Sequence, residues 1–205
     1  MTSKTMNFGC LTARSSTTKR LNDMATSSWN GRVSSSKTND SRITNTVTIR
    51  AYRRSDAADT LTIFTEAITS TASGDYSPEQ IRAWAKPGQR DLSTWHAAME
   101  SRDSIVATVD DAVVGFSDNN ATGYIDMMFV SPRHLRLGVA THLLAFVERR
   151  ARTAGFRELT ANVSVTARPF FERFGFEVVA EQHPVRDGVE LVNYAMRKLL
   201  TERAT

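Results

Sequence analysis

The run Ser131-Pro132-Arg133-His134-Leu135-Arg136-Leu137-Gly138-Val139-Ala140 joins two segments of different pattern. Before it, Tyr124-Ile125-Asp126-Met127-Met128-Phe129-Val130 is an apolar, strand-like stretch with one acid inside it. After it, Thr141 to Ala154 places Leu143, Phe146, Val147 and Ala151 on one side of a helix that Gly155 closes. The first amides of a helix have no intrahelical acceptor, and the aligned peptide dipoles put partial positive charge there. Gly138 and Ala140 leave that backbone bare, and Arg133 and Arg136 stand beside it. The junction therefore has the chemistry of a phosphate or pyrophosphate site. Two carboxylates are candidates for base chemistry: Asp126 in the strand before the loop, and Glu190 on the last strand as a reserve. Each also reads as a hydrogen-bonded or exposed carboxylate with no catalytic part. His96, His134, His142 and His183 show no metal-ligand spacing, and no metal is expected. The single cysteine, Cys10, excludes a disulfide framework and a cysteine nucleophile in the folded part.

The elements that must position these residues are legible in order. Val47, Ile49 and Ala51 alternate as in a half-buried strand. Ser55-Asp56 is expected to open a helix with Leu61, Phe64, Ala67 and Ile68 on one face. Ser77-Pro78-Glu79-Gln80 carries the capping-box pattern, with Ile81 and Trp84 on the helix that follows. Asp91 is placed to cap a third helix bearing Leu92, Trp95 and Met99. Ile105 to Val109 and Ala112 to Phe116 read as strands joined at Asp110-Asp111, leading through Asn119 to Gly123 into the Tyr124 strand. Beyond the central helix come a strand at Leu159 to Val163, a short helix from Ala167 to Phe174, and a strand at Phe176 to Ala180. Asp187-Gly188 then turns the chain into a last strand, Val189 to Met196.

Composition bounds the function. The chain has 205 residues and a formal net charge of +4. Residues 1–45 are rich in Ser, Thr and basic side chains without apolar periodicity, and they read as a disordered extension. Lys4, Arg14, Lys19, Arg20, Arg32, Lys37 and Arg42 there face only Asp23 and Asp40, so the remainder is close to neutral. The basic charge therefore does not direct the folded part to nucleic acid. The extension reads either as a transit peptide or as sequence upstream of a later start such as Met24. Residues 46–200 form the expected domain, followed by a 201–205 tail. No stretch of about eighteen apolar residues is present, so no membrane span is expected, and cysteine usage suits a cytoplasmic setting.

Leu135-Arg136-Leu137-Gly138-Val139-Ala140 resembles the (Gln/Arg)-x-x-Gly-x-(Gly/Ala) signature of the GNAT superfamily of acyl-CoA-dependent N-acetyltransferases, with Leu135 departing from the usual Gln or Arg. A second segment, Ser164-Val165-Thr166-Ala167-Arg168-Pro169-Phe170-Phe171-Glu172-Arg173-Phe174-Gly175-Phe176, resembles that family's Asn-x-x-Ala-x-x-x-Tyr-x-x-x-Gly-Phe pattern. Asp75-Tyr76-Ser77-Pro78 and Ala167 to Phe171 are similar to its YafP-like branch. The resemblance implies an α/β GNAT fold, a mixed and mostly antiparallel sheet of about seven strands with a splayed centre, flanked by helices.

It also implies acetyl transfer from acetyl-CoA to a primary amine by direct attack in a ternary complex. The cofactor-binding residues it implies are the main chain of Met128, Phe129 and Val130, the loop Arg136, Leu137, Gly138, Val139, Ala140 and Thr141, and Ser164 and Phe171. The family's acid is commonly a tyrosine where this chain has Phe171, which has no proton to give. Asp126 falls where some members place a base acting through water. Tyr76, Trp84 and Trp95 would wall the acceptor, a small-molecule or peptide amine, although Trp84 and Trp95 equally suit a core. Edge strands and the last hairpin offer a surface for a homodimer. Two other readings stay open here: an acyl-CoA-binding module without catalysis, marked by Phe171, and a nucleic-acid-associated protein anchored by its basic tail.

Overall fold

The computed structural model describes residues 46–118 and 122–200. The expected extension 1–45 with Cys10 and Met24, the loop positions 119–121 and the 201–205 tail lie outside the described residues. Ten strand segments and five α-helices alternate along the described chain. β1 (Thr48–Ala51), β2 (Ile105–Val109) and β3 (Ala112–Ser117) form an antiparallel meander. Asp110 and Asp111, both at positive φ, make its tight turn.

The expected Tyr124 strand is broken in two. β4 (Tyr124–Ile125) pairs parallel with β6 (Glu158–Ser164), whereas β5 (Met128–Val130) pairs antiparallel with β3. The chain thus changes sheets at Asp126-Met127. One sheet runs β1-β2-β3-β5, and the other runs β4-β6-β10-β7, with β7 at Glu177–Gln182 and β10 at Asn193–Leu199. Counting β4 and β5 as one strand leaves the expected seven, plus a two-residue hairpin of β8 (Val185–Arg186) and β9 (Val189–Glu190). The last strand is therefore shorter at its start than expected, since Leu191 donates its amide back to Pro184 and closes that hairpin.

Helices cover both faces. α1 (Ala57–Glu66) continues through a π-helical turn at Ala67–Thr71; α2 is Pro78–Ala85 and α3 is Leu92–Ser101. Asp56 does not cap α1 with its side chain as expected. It accepts from the Arg53 amide and receives the Arg50 guanidinium at 2.7 and 2.9 Å, tying β1 to the helix start. The capping box at Ser77 and Gln80 is formed in both directions, and Asp91 accepts from the Thr94 amide. Leu92, expected on the inner face of α3, is exposed, while Trp95 and Met99 are buried. α4 (Val139–Thr153) and α5 (Arg168–Arg173) pack on the opposite side.

Two cores result. One joins Ile105, Ala107 and Val109 to Val139, Leu143 and Val147 of α4 and to Phe171 of α5. The other joins Val106, Phe116 and Met127 to α1, α2 and α3 through residues such as Phe64, Ile81 and Trp95. Successive side chains of β2 enter opposite cores, as strand geometry requires of a sheet covered on both faces. The sheet is thus a partition between two helical layers.

Candidate active site

At the start of α4, Gly138 has φ +79°, a conformation open to glycine at little cost, and it turns the loop so that the helix begins at Val139. His142 is the first residue whose amide reaches an intrahelical acceptor, Gly138 O at 3.0 Å, and its Nδ1 donates to the same carbonyl at 2.9 Å. The amides of Val139, Ala140 and Thr141 precede that first bond, and no acidic side chain stands in the first turn. Leu135, Arg136 and Leu137 are exposed around them, and Arg136 has φ +62°. Arg133, expected as mobile charge beside the loop, pairs with Glu66 at 3.3 Å.

The strand break opens the sheet. β4 follows β6 only as far as the Ile125–Ala161 pair, and β5 then follows β3. Between them lies a cleft of about 590 Å³ including its open mouth, lined on the α1–α2 side by Phe64 and Trp84 and on the α5 side by Ala167 and Phe171. Its flanks are residues 125–129 and 161–164, so the main chain of Met128 and Phe129 borders it. The cleft connects the two layers through the sheet.

What holds the break is Asp118, a residue the sequence reading passed over. Its Oδ1 accepts the amides of Asp126 at 2.9 Å and Met127 at 3.2 Å, while its own amide and the Ser117 hydroxyl donate to Met127 O. These bonds stand in for the ladder that Asp126 and Met127, lying between β4 and β5, do not form. Asp118 is 1% exposed. Burial, and then the neighbouring Asp126 charge, push its carboxyl up to about 7, against its two amide bonds and Arg102. Arg102 Nε lies 2.9 Å from Asp126 Oδ2 and 3.9 Å from Asp118 Oδ2. The signal for Asp118 was an acid directly after an apolar strand; its partners Asp126 and Arg102 are distant in sequence.

The remaining sequence candidates divide. Asp126 lines the cleft, ion-paired to Arg102. Glu190 does not line the cleft; its side chain is 64% exposed and meets His183 at 3.0 Å, so the reserve base is a hairpin surface residue. Ser164 lines the cleft, and its hydroxyl accepts the Ala167 amide at 3.2 Å. Phe171 packs edge-on against Phe170 and Phe176 while one side faces the cleft. Trp84 lines the cleft, whereas Trp95 is a core residue: its Nε1 donates to Thr60 Oγ1 at 3.0 Å among Phe64 and Phe116. Tyr76 stacks edge-on with Trp84; its hydroxyl donates to Val192 O at 2.6 Å and accepts from the Val165 amide at 3.0 Å, and burial raises its ionisation. Tyr76 thus ties three segments together beside the cleft. Among the described residues no group of three potential metal ligands occurs, and no helix is long and apolar enough to cross a membrane.

Residues 72–198 match the family model of the acetyltransferase (GNAT) domain. The chain is 40% identical over 153 residues to the uncharacterized N-acetyltransferase YafP of Escherichia coli (strain K12), covering 75% of this chain and 96% of that one. A crystal structure of a GCN5-related N-acetyltransferase from Rhodopseudomonas palustris superposes with a TM-score of 0.72 at 32% identity, over 76% of this chain and 96% of the other. YncA of Salmonella typhimurium, solved with its cofactor acetyl-CoA, shares the fold at a TM-score of 0.58 and 21% identity, over 78% and 96% of the two chains.

Proposed function

The chain belongs to the GNAT family of N-acetyltransferases, and on that premise we propose that it transfers an acetyl group from acetyl-CoA to a primary amine by direct attack in a ternary complex. The observation that carries the reading is the strand break at Asp126-Met127, which opens a cleft between the two helical layers beside a helix start with uncovered amides. Acetyl-CoA suits the α4–α5 side. Its pyrophosphate would lie on the amides of Arg136 to Thr141, where Gly138 has no side chain and Ala140 only a methyl group. Its pantetheine arm would hydrogen-bond the main chain of Met128, Phe129 and Val130, with Ser164 and Phe171 at its flank. The acceptor suits the other side, against Trp84 and Tyr76.

An alkylammonium has a pKa near 10.4, so at neutral pH about one molecule in a few thousand is nucleophilic. Asp126, oriented by Arg102, is the base we assign, receiving the amine proton directly or through water. The amine nitrogen bonds to the thioester carbonyl carbon, the C–S bond breaks, and the thiolate leaves. No protein acid is required at Phe171, because a thiol with a pKa of about 8.5 is a tolerable leaving group near neutral pH. The Asp118 and Ser117 bonds to residues 126 and 127 keep both the base and the cleft edge in register.

Titration of acetyl-CoA into the full chain, followed by thiol release with a panel of amines, tests the reading. Micromolar binding with release for at least one amine class is expected. Binding without release would reject the transferase assignment, and absence of binding would reject the loop placement.

A further inference from the structure

Asn193 opens β10 and is 2% exposed, yet neither its Nδ2 nor its Oδ1 has a hydrogen-bond partner among the described residues. Buried side-chain amides are normally paired, and leaving both ends unmade is costly. The position of this one points to a use. Asn193 lines a second cleft with Tyr76, Trp84, Ser164, Leu191 and Val192, and this cleft shares Trp84 and Ser164 with the first, so the two adjoin. Leu191 belongs to the core on the α1–α3 side and Tyr194 packs against the core on the α4 side. Within β10 Asn193 faces away from Tyr194 by strand alternation, toward the side assigned above to the acceptor. The nearby hydroxyls are already committed, Tyr76 to Val192 O and the Val165 amide, and Ser164 to the Ala167 amide.

Resting on the transferase reading, we propose that Asn193 recognises an amide group on the acceptor, so that preferred acceptors carry an amide beside the amine, as amino-acid amides and peptide N-termini do. A carboxamide offers one donor and one acceptor along a single edge. A primary amide satisfies both together edge to edge; in a peptide, whose trans amide points its N–H and C=O in opposite directions, the second residue's own N–H and C=O do so from an extended backbone. A free carboxylate satisfies only Nδ2, and an ammonium satisfies only Oδ1, so either leaves one buried atom unmade. Charge points the same way. Among the described residues lining the two clefts Asp126 is the one carboxylate, and it is paired with Arg102. A polycationic acceptor would bring several ammonium groups into a lining without carboxylates to meet them. Trp84, which lines both clefts, supplies an apolar wall for the acceptor's side chain.

The test uses the full-length protein with saturating acetyl-CoA and a matched series: phenylalaninamide, the tripeptide Phe-Gly-Gly, phenylalanine and phenethylamine. An α-amine with a pKa of about 7.7–8.0 is far less protonated than an alkylamine with a pKa near 10.4, so kcat/KM is expressed per free amine at the assay pH. On that basis we expect it to be about tenfold or more higher for the two amide-bearing acceptors than for phenethylamine and phenylalanine, since an acceptor without the amide leaves the site's buried polar groups unpaired. The faster of the two amides identifies whether the natural amide is that of a small molecule or of a peptide. In Asn193→Leu the amide preference is expected to vanish while the melting temperature of the free protein holds or rises, since the variant removes two unmade hydrogen bonds. A purely structural asparagine would instead lower the melting temperature. Equal rates per free amine for amide and plain amine in the wild type, or an amide preference per free amine that survives in Asn193→Leu, overturn the inference and leave the transferase reading standing. If acetyl-CoA binds and no amine releases thiol, the transferase reading fails and takes this inference with it.

Discussion

Gly138 can be varied so that backbone strain and charge are separated. Its φ of +79° penalises most side chains, yet the space where a Cβ would point meets only His142, at 3.6 Å. Asparagine tolerates this conformation and is neutral; aspartate is similar in shape and repels phosphate. Gly138→Asn is expected to keep measurable acetyl-CoA affinity, while Gly138→Asp loses it beyond detection by calorimetric titration. Equal affinities in the two variants would place the pyrophosphate elsewhere. For Asp126 the expected effect is on turnover. Removing a general base costs roughly 10²-fold or more in rate, so Asp126→Asn should depress kcat by about that factor while the acetyl-CoA dissociation constant stays within about twofold. A change confined to acceptor KM would assign Asp126 to binding.

Between β3, β5 and α4 the element-level constraint is Gly115. A Cβ there would lie 3.0 Å from Phe129 O and 3.0 Å from Val139 Cγ1. The absence of a side chain lets the start of α4 seat directly on the strands that border the cleft. Gly115→Ala forces the helix start outward, and overpacking of this kind costs typically about 1–3 kcal/mol. A lower melting temperature together with weaker acetyl-CoA binding is expected; loss of stability alone would separate the packing from the site. The break between β4 and β5 has its own pH signature through Asp118. Its folded pKa of about 7 lies above its unfolded value near 3.9. The stabilising contribution is therefore complete below about pH 4 and is lost as pH rises through 7. Asp118→Asn keeps an acceptor for the amides of residues 126 and 127 without the buried charge. Denaturant unfolding should show the gap between variant and wild type shifting in the variant's favour from pH 5 to pH 8, and a pH-independent gap would show that Asp118 is already ionised in the folded protein at pH 5, as it is in the unfolded chain.

On the scale of the whole molecule, the sheet separates a layer built from α4 and α5 from one built from α1 to α3, and the cleft passes between them. Two substrates can then meet from opposite faces without displacing each other. Double-reciprocal plots at several acetyl-CoA concentrations should intersect rather than run parallel, as expected for a ternary complex; parallel lines would demand an acetylated protein side chain. Trp84→Ala should raise the acceptor KM while leaving acetyl-CoA affinity unchanged, because Trp84 lies on the α1–α2 side.

Local pattern carried far in this chain, for reasons that are local. The capping box at Ser77 and Gln80, the Asp91 cap, the Asp110-Asp111 turn and the Gly138 helix start each involve residues within four positions, so spacing alone specifies the bonds they make. The order of strands and helices followed from the same periodicities, whereas the family was read from the resemblance of two motifs, Leu135 to Ala140 and Ser164 to Phe176, to its signatures. What spacing could not convey was which partner a side chain meets across the sheet. Trp84 and Trp95 read alike on amphipathic helices, yet one reaches the cleft and the other is bonded to Thr60 in the core. Asp126, the first candidate base, and Glu190, the reserve, were separated by folding, which paired the first with Arg102 beside the cleft and left the second on an exposed hairpin. The break at Asp126-Met127 was invisible in an apolar run, because it is made by Asp118 eight and nine residues earlier and by a change of strand partner from β6 to β3. Helix caps and turns are decided by neighbours along the chain, but a cleft is decided by which strands stop pairing, and that is a property of the tertiary structure alone.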